Sequence, residues 1–226
     1  MKTQAVTLSG VEVCESKKIL LLLVFLCFFV FSFSQSNREK FKTLSKAEKH
    51  WVMLHPFIAK KAMYYTNLVL HVCDSLKKDS ALDGDGNGGQ LDAFRHSYWM
   101  ALLSQHINPK KAYSLSIAHE KGNKEAFEKK TEDGAQPDSM SSVMDIINNQ
   151  LGIQIGLANM QSKAPMSDEQ LISFIKQKII KGEMRILLKD ENKNFLTCEG
   201  VIINPDDYKG KWAIPKCLVK SNVKGS

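Results

Sequence analysis

The chain has 226 residues, 43% of them hydrophobic and 24% charged, and a formal net charge of +7. That is length for one domain with a real core, and nothing in it requires two. The basic excess is spread along the chain, so it supports attraction to anionic surfaces and carries no nucleic-acid signature.

The amino-terminal segment reads as a targeting signal. Lys17 and Lys18 precede an apolar run over residues 19–31, and Ser32 and Ser34 place small residues where a signal peptidase reads them. Residues 1–34 are therefore expected to be a signal peptide, cleaved near Ser34 or Gln35, and the protein to be periplasmic or extracellular. The alternative is an uncleaved anchor over residues 19–34, although a span needs about 20 apolar residues. Cys27 follows Leu26, where a lipobox requires a small residue, so lipidation is not expected. Membrane contact is expected only through this segment, and the oligomeric state is left open. Removing residues 1–34 leaves 192 residues, with 28 Lys and Arg against 22 Asp and Glu, a net charge of +6.

Ser45 and Glu48 have the spacing of a capping box opening a short helix to Leu54, and Pro56 suits the first turn of a second helix running to about Lys77. Phe57, Ala62, Tyr65, Leu68, Val69 and Val72 keep helical spacing and are expected to form its core face. Asp83, Asp85 and Asn87 then alternate with glycines like the start of a calcium loop. The position where an EF-hand needs glutamate is Phe94. Either a variant calcium site closed by Asp92 or a plain glycine-rich connection fits.

An apolar helix is expected over 91–106, and a second from Pro109 to His119 and Glu120, stopped by Gly122. A loop is expected over 121–137. A helix starting at Asp138 or Ser139 carries Val143, Ile146, Ile147, Leu151 and Ile155, with Gly152 and Gly156 on one stripe, which suggests close helix approach or a backbone facing a ligand. Ser167 caps a last helix to about Lys181. Residues 184–189 and 195–198 read as a hairpin, and Cys198 and Cys217 in the tail are candidates for a disulfide. Cys73 reads as a buried free thiol. The expected fold is all-α, a bundle of about five or six helices over residues 35–182, with a small carboxy-terminal β-hairpin extension and irregular tail over 183–226.

Three polar clusters interrupt these apolar helices. Asp92 and His96 are four apart, so the carboxylate can orient the imidazole, and Arg95 beside them could hold a phosphate or pair with Asp145 or Glu120. His119 and Glu120 lack the second histidine of a zincin motif, so His119 suits a metal ligand and Glu120 a general base. Asp145, Asn148 and Asn149 form one polar stripe, and asparagines inside a helix suggest amides with a hydrogen-bonding purpose. Together His96, His119, Asp145 and Asp92 offer donors for zinc or another divalent ion, with Glu120, Arg95, Asn148 and Asn149 available for catalysis.

In this order the clusters resemble an uncharacterised bacterial family, a domain of unknown function found in exported proteins and at the ends of large toxin-like proteins. The resemblance rests on Asp92, Ala93, Arg95, His96, Trp99, His119, Glu120, Asp145, Asn148, Asn149 and Gly152 and covers about residues 55–156. It implies a helical domain with these residues grouped, and supplies no activity. The leading expectation is an exported, metal-dependent hydrolase of phosphoester or amide bonds, its substrate unspecified. The competing one is a non-catalytic envelope module whose polar residues form a structural ion network.

Overall fold

The computed structural model of the chain describes residues 35–129 and 137–223; the expected signal peptide lies outside them. The described residues divide between Leu44 and Ser45 into two units. The first contributes helix α1 (Gln35–Thr43), which the sequence reading passes over because Phe41 is its one apolar residue and no stripe is formed. No helix among the described residues is long and apolar enough to cross a membrane.

The second unit is mostly helical, as expected. Helix α2 (Lys46–Leu54) opens on the capping box: the Glu48 N–H donates to the Ser45 hydroxyl and the Ser45 N–H to the Glu48 carboxylate. Pro56 sits in the first turn of α3 (Pro56–Leu76), which buries Ala62, Val69, Cys73 and Leu76. Phe57 departs from expectation, being 96% exposed. Periodicity groups residues on one face, but Phe57 lies in the turn before α3 meets its neighbours.

Helix α4 (Gln90–His106) is buried on nearly every side, its polar Asp92, His96, Ser97 and Ser104 included, enclosed by α3 and by the three helices that follow. It joins two cores. On one side Phe94, Tyr98 and Leu102 pack with Val69 and Cys73 of α3 and with Leu171, Ile175 and Ile179 of the last helix. On the other, Met100 and Leu103 pack with Trp51, Ala112 and Leu115.

Asn108 caps α5 (Pro109–Lys129). This helix does not stop at Gly122 as the sequence suggests; it continues through most of the expected loop. The glycine serves packing, since a Cβ there would lie 2.6 Å from Ser45 Oγ.

Helix α6 (Ser139–Gln161) is inside out. It buries Asp145, Asn148, Asn149, Gly152, Gly156 and Asn159, and turns Val143 to solvent. The glycines explain how: a Cβ on Gly152 would lie 2.2 Å from Ser97 O, and one on Gly156 2.3 Å from Ala101 O, so α6 lies directly on the backbone of α4. Helix α7 (Asp168–Ile180), capped by Ser167 and Gln170, closes the bundle with Leu171, Ile175 and Ile179.

The small carboxy-terminal sheet pairs β1 (Arg185–Leu187) antiparallel with β2 (Leu218–Lys220), Ile186 opposite Val219. The expected pairing of 184–189 with 195–198 is reduced to an isolated bridge between Lys189 and Phe195. The Cys198–Cys217 disulfide draws the later strand into place, and Cys217 N–H and O bond to Leu196 and Leu188. Cys73 is a buried free thiol whose pKa burial pushes up to about 11.

Candidate metal centre

Asp92 and His96 stand one turn apart at the start of α4, and the glycine-rich loop before the helix sets the first of them. The Gly88 N–H donates to Asp92 Oδ2 at 2.6 Å, and the Gly88 carbonyl accepts from Leu187 N–H of β1 at 2.8 Å. Gly88 has φ +84, and a Cβ there would meet the Leu187 side chain at 3.0 Å, so this residue must be glycine. The oxygens expected to hold calcium are engaged from within the protein. Asp83 accepts backbone N–H groups from Asp85 and Gln90, and the Lys189 ammonium donates to Asp85 Oδ2 and to Asn87 O, each at 2.5 Å.

His96 is fully enclosed. Its Nδ1 lies 3.3 Å from Asn149 Oδ1; with that oxygen as acceptor, Nδ1 carries the proton and Nε2 the lone pair. Nε2 in turn faces Arg95 Nη2 at 3.1 Å, Asp145 Oδ1 at 3.3 Å and Asp92 Oδ1 at 3.5 Å. One ligand atom each from Asp92, His96 and Asp145 therefore falls within 4.8 Å of the others. A lone pair beside two carboxylate oxygens is unfavourable unless a proton or cation lies among them, and the Arg95 guanidinium supplies part of that charge. These are nitrogen and oxygen donors of the kind that hold a divalent ion.

The electrostatics point the same way. Burial, then the charges of Asp92 and Glu120, push the Asp145 carboxyl well above the usual carboxylate range. Burial also raises Asp92, against the pull of Arg95 and the Gly88 N–H. Burial, with the positive charges of Arg95 and His119, holds His96 well below the usual histidine value. Glu120 is raised by burial too, opposed by His119. Asp92 and Asp145 share the guanidinium of Arg95 while Glu120 is answered by His119, and an excess of buried carboxyls favours either protons or an added cation.

His119 stands beside this group, its ring centroid 6.4 Å from that of His96 and 5.7 Å from that of Trp99. It lies outside the ligand cluster. Its Nδ1 bonds to Glu48 Oε1 at 2.9 Å, a partner from α2 that sequence reasoning assigned only to the helix cap. Burial pulls the His119 pKa down, but the hydrogen bond to Glu48 and the charges of Glu120 and Glu48 outweigh it and raise it above the usual value. The side chains of Arg95 and His119 are 39% and 38% exposed, so they form the open lip of an otherwise buried site.

Glu120 is buried, accepting from Asn123 Nδ2 through Oε2. Asn148 is turned away from the cluster: its amide donates to Arg185 O at 2.8 Å and accepts from Arg185 N–H at 3.0 Å, holding β1 against α6. Among the described residues, the buried side-chain polar atoms with no hydrogen-bond partner are Glu120 Oε1, Ser142 Oγ, Asp145 Oδ1 and Asn149 Nδ2. All four belong to α5 and α6 at this site, where buried polar atoms normally find a partner. Two surface grooves, both bordered by Met166, Phe174 and Lys178, share no residue with the cluster.

The chain belongs to a family described as a domain of unknown function (DUF6973), which matches residues 49–183. No curated protein and no solved structure matches it. The matched span contains all of the cluster and His119; Glu48 lies one residue before it.

Proposed function

We propose that the protein is an exported, metal-dependent hydrolase, with phosphoesters as the leading substrate class and amides the alternative. The observation that carries this reading is the convergence of Asp92 Oδ1, His96 Nε2 and Asp145 Oδ1 within 4.8 Å, beside a half-exposed histidine oriented by a carboxylate. A divalent ion held by these three atoms would supply positive charge and a bound water of lowered pKa.

The chain's own groups have distinct parts in this scheme. Asn149 fixes the His96 ring so that Nε2 faces the ion. Glu48 fixes His119 by Nδ1, leaving Nε2 to accept a proton from water. The water oxygen bonds to phosphorus, the phosphorus–oxygen bond to the leaving group breaks, and the His119 proton passes to that departing oxygen. Arg95, half open to solvent, steadies charge on the phosphoryl oxygens. Export belongs to the same reading: residues 1–34 carry the signal pattern, and the Cys198–Cys217 disulfide suits an oxidising compartment.

One feature favours the non-catalytic reading, a structural ion network. Arg95 Nη2 already bonds Asp92 Oδ1 at 2.5 Å, so an internal cation partly meets the carboxyl charge. Asp145 Oδ1 and Asn149 Nδ2, buried without a hydrogen-bond partner, weigh against it, because a structural network is stable only when its members are satisfied.

Metal content and hydrolysis of an activated phosphodiester by the purified chain, with zinc or manganese added or chelated, test the proposal. The expected result is one ion per chain and metal-dependent turnover lost in His96→Ala and His119→Ala. A chain that binds neither metal at micromolar concentration overturns it in favour of the structural network.

A further inference from the structure

The corner between α2 and α3 leaves large apolar side chains in solvent: Met53 and Tyr64 are each 63% exposed, Leu54 61% and Phe57 96%. Met53 and Leu54 end α2, Pro56 and Phe57 begin α3, and only His55 intervenes. Phe57, Lys60, Lys61 and Tyr64 follow at the spacing of a single helical face. Contiguous exposed apolar surface on a folded protein marks an interaction site, whereas scattered single residues do not.

Charge decides between partners. From residue 49 to residue 73 the sequence contains no aspartate or glutamate, but carries Lys49, Lys60 and Lys61 with His50, His55 and His71. The nearest carboxylates in sequence are Glu48, turned inward onto His119, and Asp74, at the far end of α3 and paired with Lys77; across the fold, Asp168 of α7 adds to the burial and the Tyr64 charge that raise Tyr65. Lys60 and Lys61 are exposed and make no ion pair among the described residues. A face for another protein normally mixes signs for register and specificity. Aromatic and aliphatic tips set among lysines, on a stretch whose own sequence carries no acid, suit the headgroup region of an anionic bilayer.

We infer that this corner is a membrane-docking surface: Met53, Leu54 and Phe57 enter the headgroup region of an anionic bilayer, Tyr64 lies at its edge, and Lys60 and Lys61 contact lipid phosphates. The surface stands on observations independent of the metal centre. It also adds to the amino-terminal segment a second region able to touch lipid.

The test places a fluorescent probe at the surface itself, so that binding through residues 19–31 cannot imitate the result. In the purified full chain, Phe57→Trp is titrated with vesicles of phosphatidylcholine alone or with phosphatidylglycerol, and its emission is compared with that of the unsubstituted chain. The inference expects a blue shift, and quenching by acyl-brominated lipid, with anionic vesicles only. Lys60→Gln with Lys61→Gln in the same background should weaken the response about 30-fold, from about fivefold for each lysine. Sedimentation of the chain with anionic vesicles without an emission change overturns the inference, as does no binding. A shift that follows protein concentration with no lipid present also overturns it, and identifies the corner as a self-association face.

Discussion

His119 Nδ1 of α5 bonds Glu48 Oε1 of α2 at 2.9 Å, across 71 residues of sequence. The bond moves both groups in the direction that favours their charged forms. His119 lies above its usual 6.5, because the Glu48 bond and acidic neighbours outweigh burial. Glu48 lies below its usual 4.5, since the His119 and Ser45 bonds outweigh burial. The His119 contribution is complete below pH 6.5 and is lost as pH rises through its higher folded value; the Glu48 contribution is complete above pH 4.5 and is lost as pH falls through its lower one. Glu48→Gln should therefore cost about 1 kcal/mol near pH 5.5, the scale of a half-exposed pair, and less near pH 9. Urea midpoints at the two pH values measure this, and an equal loss at both would refute the assignment.

The same bond shapes the expected rate profile. If His119 Nε2 takes a proton from water, hydrolysis should rise with pH through the raised His119 pKa. In Glu48→Gln the rise should move to lower pH and the plateau should drop by about 10²-fold or more, the usual contribution of general base catalysis. A profile unmoved by the substitution would remove His119 from the mechanism.

Metal binding should be coupled to proton release. Asp92 is raised by burial, and Asp145 by burial and by the charges of Asp92 and Glu120, so an ion entering between them displaces protons. Calorimetry in buffers of different ionisation enthalpy should show release, with affinity increasing as pH rises. Asp145→Asn should reduce the release to the share of Asp92 and, in metal-free protein above pH 7, stabilise the fold, because a carboxyl whose folded pKa is raised loses stability as pH climbs toward it. Asn149→Ala should weaken the metal about 10- to 100-fold by freeing the His96 ring.

The glycines of α6 make the site possible. Gly152→Ala puts a Cβ 2.2 Å from Ser97 O, and that atom is backbone, so α4 and α6 must separate. The expected cost is roughly 1–3 kcal/mol or above, with loss of metal binding because Asp145 moves away from His96. Gly86→Ala is the control: nothing lies within 4 Å of a Cβ there, and its thermal midpoint should stay within a degree or two, on the order of experimental scatter.

Reduction or Cys198→Ser should cost about 3 kcal/mol, for a bridge closing 19 residues. The effect should reach the bundle. Lys216, next to Cys217, donates to Asp138 Oδ2 at 2.6 Å, and Asp138 caps the helix that carries Asp145. Hydrogen exchange in the first turn of α6 should accelerate with the bridge open, whereas Cys73, buried with a pKa near 11, should resist alkylation at neutral pH.

The residues that meet at the site were legible because each is an anomaly on its own helix: Asp92 and His96 one turn apart in an apolar helix, and Asp145 and Asn149 on a stripe with two glycines. Glu48 was not legible. Its place in the capping box already accounts for it, and sequence spacing carries no trace of a partner 71 residues away. Gly122 read as a helix stop because its actual reason, the approach of Ser45, is tertiary. Phe57 read as core for a related reason: a helical period tells which residues share a side and leaves open whether that side has a neighbour. The strand opposite β1 was missed because its nearest match in sequence, residues 195–198, is displaced by one that the disulfide delivers from further on.

Lys189 gives the glycine-rich loop a resident counter-ion. Its ammonium, held between Asp85 and Asn87 with Phe195 4.3 Å below, is covalently tethered, so its local concentration owes nothing to the surrounding medium. A loop ordered by free ions would loosen and tighten with the calcium and ionic strength around it. Here the loop that aims Asp92 carries its own charge balance, and the geometry of that carboxylate is insulated from the salt outside.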